Sequence, residues 1–523
     1  MNPFRARRTR ARATRVFAAV VAVTAIVALA ACSSRSSGQA GGGNSNSNGT
    51  ITIGTEFPPG TLDPTTGTQG SDLAYLNLVF DALVQENPQT GAIEPMLATS
   101  WKYPSADKLE LAVFLRHGVK FQDGTPFNAQ AVVDYTKAFL KAGDIANLLQ
   151  YVTSVTAVGD YEVIYHLSQQ NALLLGGLAG RAGTIPSPTA VRKEGANFAA
   201  HPVGTGPYSF VSETQGASYD FTSFPGYWNN ANVKRVKNID YKIFQSDTAL
   251  ADAIRTGNVD VAFDLSPQDV STLKKEANLT VSVGPGTQFS LAYFNSSRKP
   301  LNNAAIRLAF NLALNRADLA EAVTNGLGQV TTEPMPPGTI GYVKSLDPVW
   351  SYDPAKAKEL VRQAGYPHGV SMTCYEYPGL GFETATPIII SEEQAVGINL
   401  TVIPGTPAQV GTFFTNKAAP ECFLADYGGG TAPGNYELLW SQSYYNAGKT
   451  SYGIDQYFEQ FYQAYSTAGV SQISYNILKS QQTNPGYAPM FTSPLVNVYR
   501  KNIGGWVASN LGIDNWRGLY YTS

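Results

Sequence analysis

Between Val370 and Gly428 the chain alternates strand-like and helix-like stretches: VSMTCYEY, a helix across Thr386 to Val396, INLTVIP, a helix near Ala408 to Asn416, then CFLADYG. A βαβαβ run of this kind implies a parallel sheet with right-handed crossovers and helices on its faces. In such an arrangement the first strand can lie beside the third, which places Cys374 near Cys422. A disulfide and a pair of buried thiols both fit that placement. At 523 residues the chain is too long for one core, so two or more lobes are expected.

The earlier chain is richer in strands. ITIGTEF alternates and reads as a strand, and Ser71 to Val84 reads as a helix with Leu73, Leu76, Leu78 and Phe80 among its apolar positions. LATSWKY and KLELAVFLRH read as strands. NAQAVVDYTKAFLKAG reads as a helix with Asn128 as N-cap, and VTSVTAVGDYEVIYHL as a hairpin turning at Gly159 and Asp160. KNIDYKIFQ, VDVAFDL and FSLAYFN continue the strands. DTALADAIRTG is a helix stopping at Gly257, and NNAAIRLAFNLALNRADLAEAVT is helical.

The N-terminus speaks of export. Arg5, Arg7, Arg8, Arg10, Arg12 and Arg15 precede an apolar run from Val16 to Ala31, which has the length of a signal h-region and is shorter than a typical membrane span. The run ends Leu29, Ala30, Ala31, Cys32, which resembles the lipobox of bacterial lipoproteins, with Cys32 as the lipidated residue. An ordinary signal peptide with an incidental Cys is the alternative. SSRSSGQAGGGNSNSNGT follows and reads as a flexible tether.

Charge and motif content exclude several function classes. Lys+Arg count 37 against 39 Asp+Glu, a net charge of -2, which offers no basic face for nucleic acid. GTGPY at Gly204–Tyr208 and GGG at Gly428–Gly430 lack the ending of a phosphate loop. His117, His166, His201 and His368 are scattered without metal-ligand spacing, and no CxxC or Cys/His cluster occurs, so no metal or cofactor is expected. No GxSxG motif or Ser/His/Asp order is readable, so no catalysis is expected. The 29 Tyr and 6 Trp suit contacts with polar ligands, although most such rings serve as core or surface filler.

Several stretches in fixed order carry a resemblance: LDP at Leu62, EPMLATSWKY at Glu94, FLRHGVKFQDGTPFNAQAVV at Phe114, PVGTGPYSF at Pro202 and GYWNN at Gly226. AIRTGNVDVAF at Ala253, FNSSRKPLNNAAIRLAFNLALNR up to Arg316, YDPAKAKELVRQAGYP at Tyr352 and FLADY at Phe423 complete the set. Together they resemble the ABC-transporter substrate-binding proteins for oligopeptides, dipeptides and nickel, the extracellular solute-binding family 5. The resemblance implies an α/β, two-lobed periplasmic-binding-protein-like fold of type II with an enlarged first lobe and the ligand cleft between the lobes. It implies a signal peptide over 1–31, a tether over 32–49, a first lobe from 50–288 and 495–523 with an inserted subdomain at about 89–202, and a second lobe over 289–494. The hinge is expected near Pro285 to Phe289 and near Pro494. The function implied is capture of a small polar ligand, a peptide first, for an ABC-importer permease. The chain is expected to act as a monomer anchored by lipid on the outer face of the cell membrane. An oligosaccharide or other polar-solute receptor, a structural lipoprotein and a secreted hydrolase are the alternatives.

Candidate ligand-binding residues follow from the same resemblance. Asp426 matches the family aspartate that holds a peptide's α-ammonium, with Tyr427 and Phe423 beside it. Phe423 stands where oligopeptide binders commonly have Trp, Pro420 where some carry Arg, and GGGTAPGNY replaces the usual acidic residue and proline, which leaves a turn-capping role for Asp426 open. Trp440, Tyr436, Tyr444 and Tyr445 either line the cleft or pack within a helix. Glu56 and Phe57 end the first strand, and Gln288 and Phe289 lie at the first crossing between lobes; all four are expected to face the cleft.

Overall fold

Two long strands, Leu279–Phe294 and Tyr487–Arg500, run antiparallel side by side and tie the molecule together. The computed structural model describes residues 49–523 except 68–71, 143–145, 147, 336, 338, 378–381, 407–408, 410–411, 417, 429–435, 437–438, 440–444, 508–515 and 523; the side chains of 285, 287 and 427 also lie outside the description. The signal, lipobox and nearly all of the tether therefore fall outside the described residues.

The two long strands sit at the centre of an 11-stranded sheet. On one side of them lie Cys422–Gly428, Val370–Glu376 and Ile398–Pro404, in that order outward. On the other side lie Val261–Ala262, Thr50–Thr55, Asn238–Ile243, Ser218–Ser223 and Tyr208–Thr214. The strand part of the βαβαβ expectation holds: Val370–Glu376 pairs in parallel with both Ile398–Pro404 and Cys422–Gly428, so the first strand does lie beside the third, while the helix expected near Ala408 to Asn416 falls partly on residues outside the description. Cys374 stands opposite Cys422 with Cα atoms 4.4 Å apart, and the two are bridged by a disulfide.

Buried apolar side chains fall into separate clusters along these lines. One is drawn wholly from Phe289–Phe491, a second from Leu83–Ile185. Two more draw on Ile51–Leu279 and on Leu495–Leu519. The second cluster is closed by a four-stranded antiparallel sheet with strand order Ala98–Lys102, Glu110–Leu115, Glu162–Leu167, Val152–Val158, which is separate from the large sheet. Helix Ala129–Phe139 packs on it through Val132, Tyr135, Thr136 and Phe139. Asn128 caps this helix as expected, its side chain accepting from Ala131 N at 3.1 Å, and Gly159 takes the left-handed turn of the hairpin.

Three elements differ from the sequence pattern. The first helix spans Asp72–Val79 rather than reaching Val84. Leu83 N donates to Gly183 O at 2.9 Å and Val84–Glu86 pairs with Ile93–Pro95, so the inserted part draws this segment into extended structure. The long helix after Asn302 breaks into Ala304–Ala313 and Arg316–Thr324. Arg316 Nη1 donates to Asn311 O at 2.9 Å, the carbonyl a continuing helix would give to Asn315 N, and Asn315 N turns instead to Glu392 Oε2 at 3.0 Å. VDVAFDL keeps only Val261–Ala262 as strand.

Candidate ligand cleft

The chain passes between the halves of the sheet at one defect. Gly284 pairs with Leu495 and Gln288 with Ser493, so three residues on one long strand oppose Pro494 alone on the other. Pro494 has no N–H to lose, which makes it tolerable in the middle of a sheet at this point. Gly286 has φ +64°, and a Cβ there would meet Ser493 O at 1.7 Å. A glycine in a left-handed turn is required by that close approach.

Strand direction brings two carboxyl ends to this defect. Thr50–Thr55 is parallel to Val261–Ala262, and Ala262 faces Val498, so these two strands point toward Pro494. On the other side Asp426 faces Ser290 and Gly428 faces Gln288, so Cys422–Gly428 points toward the defect as well. In open α/β sheets ligands bind outside the carboxyl ends of strands. Here the ends of both sets meet at the crossing.

Asp426 occupies that edge. Ser290 Oγ donates to Asp426 Oδ1 at 2.7 Å, and Ser290 itself is buried. Burial pushes the Asp426 carboxyl up to about 6, with the Ser290 hydrogen bond pulling against that rise. Glu56 follows directly on the first strand. Its pKa is raised, first by burial and then by the charge of Asp247, and its Oε1 is buried without a hydrogen bond. Such an acceptor suits a donor group arriving with a ligand. Phe57 is 38% exposed, its carbonyl accepting from Tyr75 OH at 2.9 Å, and Gln288 is exposed.

The remaining candidates divide. Phe289, Phe423 and Tyr436 are buried in the core of the second lobe. Phe423 packs on Tyr293, Phe413 and Phe414, and Tyr436 stacks on Phe461 at 5.8 Å between centroids. Trp440 and Tyr444 lie outside the described residues, as does the Tyr427 side chain; Tyr445 packs against Tyr293 and Phe414. Sequence patterning did not single out Ser290, which carries no motif, or Tyr377. Tyr377 follows the Val370–Glu376 strand, is 42% exposed, and its N–H donates to Leu424 O at 2.9 Å, beside the Asp426 strand end. The signal for it was the parallel pairing itself, once VSMTCYEY is set against CFLADYG.

Among the described residues no group of three or more His, Cys, Asp or Glu side chains is arranged to hold a metal ion, and no helix is long and apolar enough to cross a membrane. A continuous sheet crossed by two strands, with carboxyl ends converging on the crossing, defines a two-lobed periplasmic-binding-protein fold. Solved structures share it. The periplasmic binding protein DppA of Helicobacter pylori, in complex with the peptide STSA, superposes with TM-score 0.80 at 22% identity, over 91% of this chain and 99% of that one. NikZ of Campylobacter jejuni in complex with Ni(L-His) gives 0.79 at 20%, over 90% and 99%. Residues 92–460 match the bacterial extracellular solute-binding proteins, family 5 Middle, and the chain belongs to that family. Among curated relatives, the glutathione-binding protein GsiB of Shigella flexneri is 28% identical over 489 residues, 89% of this chain and 93% of its own length.

Proposed function

We propose that this family 5 solute-binding protein captures a peptide in the cleft and presents it to the permease of an ABC importer. The observation that carries the reading is Asp426: a carboxylate at a strand end on the lobe boundary, fixed by Ser290, with its pKa raised by burial. A buried carboxylate of this kind gains most from a cationic partner, and a peptide's α-ammonium supplies one. Glu56 with its unsatisfied oxygen, Phe57, Gln288 and Tyr377 complete the proposed lining. The binding partners of DppA and GsiB, a peptide and glutathione by name, support a peptide-type ligand over a sugar.

On this reading the ligand leaves chemically unchanged. The body works as a monomer outside the cytoplasmic membrane, held through lipid on Cys32 and the tether that follows it. Native mass spectrometry of the purified protein tests the ligand class. A bound mass that fragments as a peptide is expected. A bound hexose polymer would replace the peptide reading with that of an oligosaccharide receptor.

A further inference from the structure

The inserted subdomain touches the second lobe at a place that the connecting strands do not reach. Helix Asp455–Tyr462 and the residues after it meet one end of the four-stranded sheet, where Lys102, Glu110, Leu167 and Val152 end or begin their strands. Ala172 N donates to Tyr462 O at 2.8 Å. Tyr151 OH donates to the Glu459 carboxylate, 3.1 and 3.2 Å from its oxygens, and the Tyr151 ring meets Tyr462 edge-on at 4.9 Å. Tyr103 meets Tyr465 edge-on at 5.3 Å, and Lys108 Nζ lies 3.4 Å from the centroid of the Tyr465 ring. Lys108 holds a left-handed backbone, φ +54°, in the turn that delivers it there.

We propose that Tyr103, Lys108 and Tyr151 on the subdomain and Glu459, Tyr462 and Tyr465 on the second lobe form a latch that favours the closed cleft whether or not ligand is bound. The subdomain has its own sheet and its own core, so nothing in its fold requires this contact. Elsewhere the lobes are joined through the large sheet and, beside it, by Gln268 Nε2 donating to Val323 O at 2.9 Å; on this proposal a rotation at the Gly284–Gln288 defect that opens the cleft separates the latch patches. The chemistry is that of a reversible contact. Cation–π and edge-on aromatic pairs are individually modest, and the carboxylate–hydroxyl bond is exposed at Glu459. Contacts of this strength bias a two-state equilibrium without freezing it. The latch rests on binding by lobe closure, and it acts on every ligand alike because none of its residues lies at the Asp426 edge.

The test uses the full mature chain carrying Lys108→Ala with Tyr151→Phe, two substitutions at partly exposed positions, and separately Tyr465→Ala from the opposite side. Ligand-free protein is measured by small-angle scattering and by hydrogen exchange at the Ala172 amide; affinity for any copurifying ligand is measured by calorimetry. The latch predicts a protected Ala172 amide in the unaltered chain, rapid exchange there and a larger radius of gyration in both variants, and affinity weakened about tenfold by the same factor for each ligand. An Ala172 amide that exchanges rapidly in the unaltered chain overturns the proposal. So do variants that lose Ala172 protection while keeping their dimensions and affinity, since the contact is then passive. The scattering and exchange arms need no ligand, so a wrong ligand class leaves them intact.

Discussion

Ser290 Oγ donates to Asp426 Oδ1 at 2.7 Å across the pairing of a connecting strand with a second-lobe strand. The carboxylate is thus held from the strand that carries the Gly284–Gln288 bulge, two residues past the end of that bulge.

Binding should depend on pH through this pair. The Asp426 carboxyl sits at about 6 in the folded chain because burial disfavours its charge. A peptide ammonium needs the ionised form, so affinity rises with pH through that value and levels off above it. Calorimetry should find binding about tenfold weaker at pH 5 than at pH 7.5, and the dependence should vanish in Asp426→Asn, which binds weakly throughout. Ser290→Ala removes the bond that lowers the pKa, so its midpoint moves to higher pH, and Ser290→Thr restores it. For the ligand-free fold the sign reverses: this group's contribution to stability is full below its unfolded value and declines as pH rises through about 6.

Two glycine substitutions should separate crowding from backbone strain. Gly91 and Gly286 both have positive φ, but a Cβ at Gly91 meets nothing within 4 Å while one at Gly286 runs into Ser493 O. Gly91→Ala should cost ~1–2 kcal/mol from the left-handed backbone alone. Gly286→Ala should cost more and also alter ligand-induced compaction, because the bulge between lobes has to reshape. Chemical denaturation and scattering of both variants read the two effects; equal stability losses would sink the distinction.

The Cys374–Cys422 bridge closes a loop with sequence separation 48. Chain-entropy arguments give ~4 kcal/mol of stabilisation for a loop of that size. Reduction, or the double Cys→Ala variant, should lower the melting temperature and exchange protection of the second lobe, leaving the first lobe's amides little changed. Intact mass of the unreduced, alkylated protein should show neither of these cysteines modified; two alkylated thiols would remove the bridge.

The anchor is tested at Cys32. Cys32→Ala should abolish lipid labelling and release the protein from the membrane fraction without changing ligand affinity. A variant that remains lipid-labelled and membrane-bound contradicts the lipobox reading.

Local pattern carried much of this structure. The parallel neighbours VSMTCYEY and CFLADYG, the Asn128 cap and the Gly257 stop were readable because each depends on residues close in sequence or on alternation alone. The helix break at Leu314 was not, since its cause is the Arg316 guanidinium bonding Asn311 O and the Pro489 carbonyl, the latter from 173 residues away. The candidate site divides in the same way. Asp426 was legible through the family pattern around it, whereas Phe423 and Tyr436 are aromatic in sequence and core in space. Ser290 has no signal of its own; its role exists only once two distant strands are in register.

Because the two connecting strands are hydrogen-bonded to each other, Phe289 stands directly opposite Thr492. Everything between those residues therefore leaves and returns at one point, like a cassette clasped at both ends, with a disulfide and a core of its own inside. A segment arranged so can be exchanged between relatives as one block whose two junctions, distant in sequence, coincide in space, so that Asp426 and the proposed contacts around it travel together.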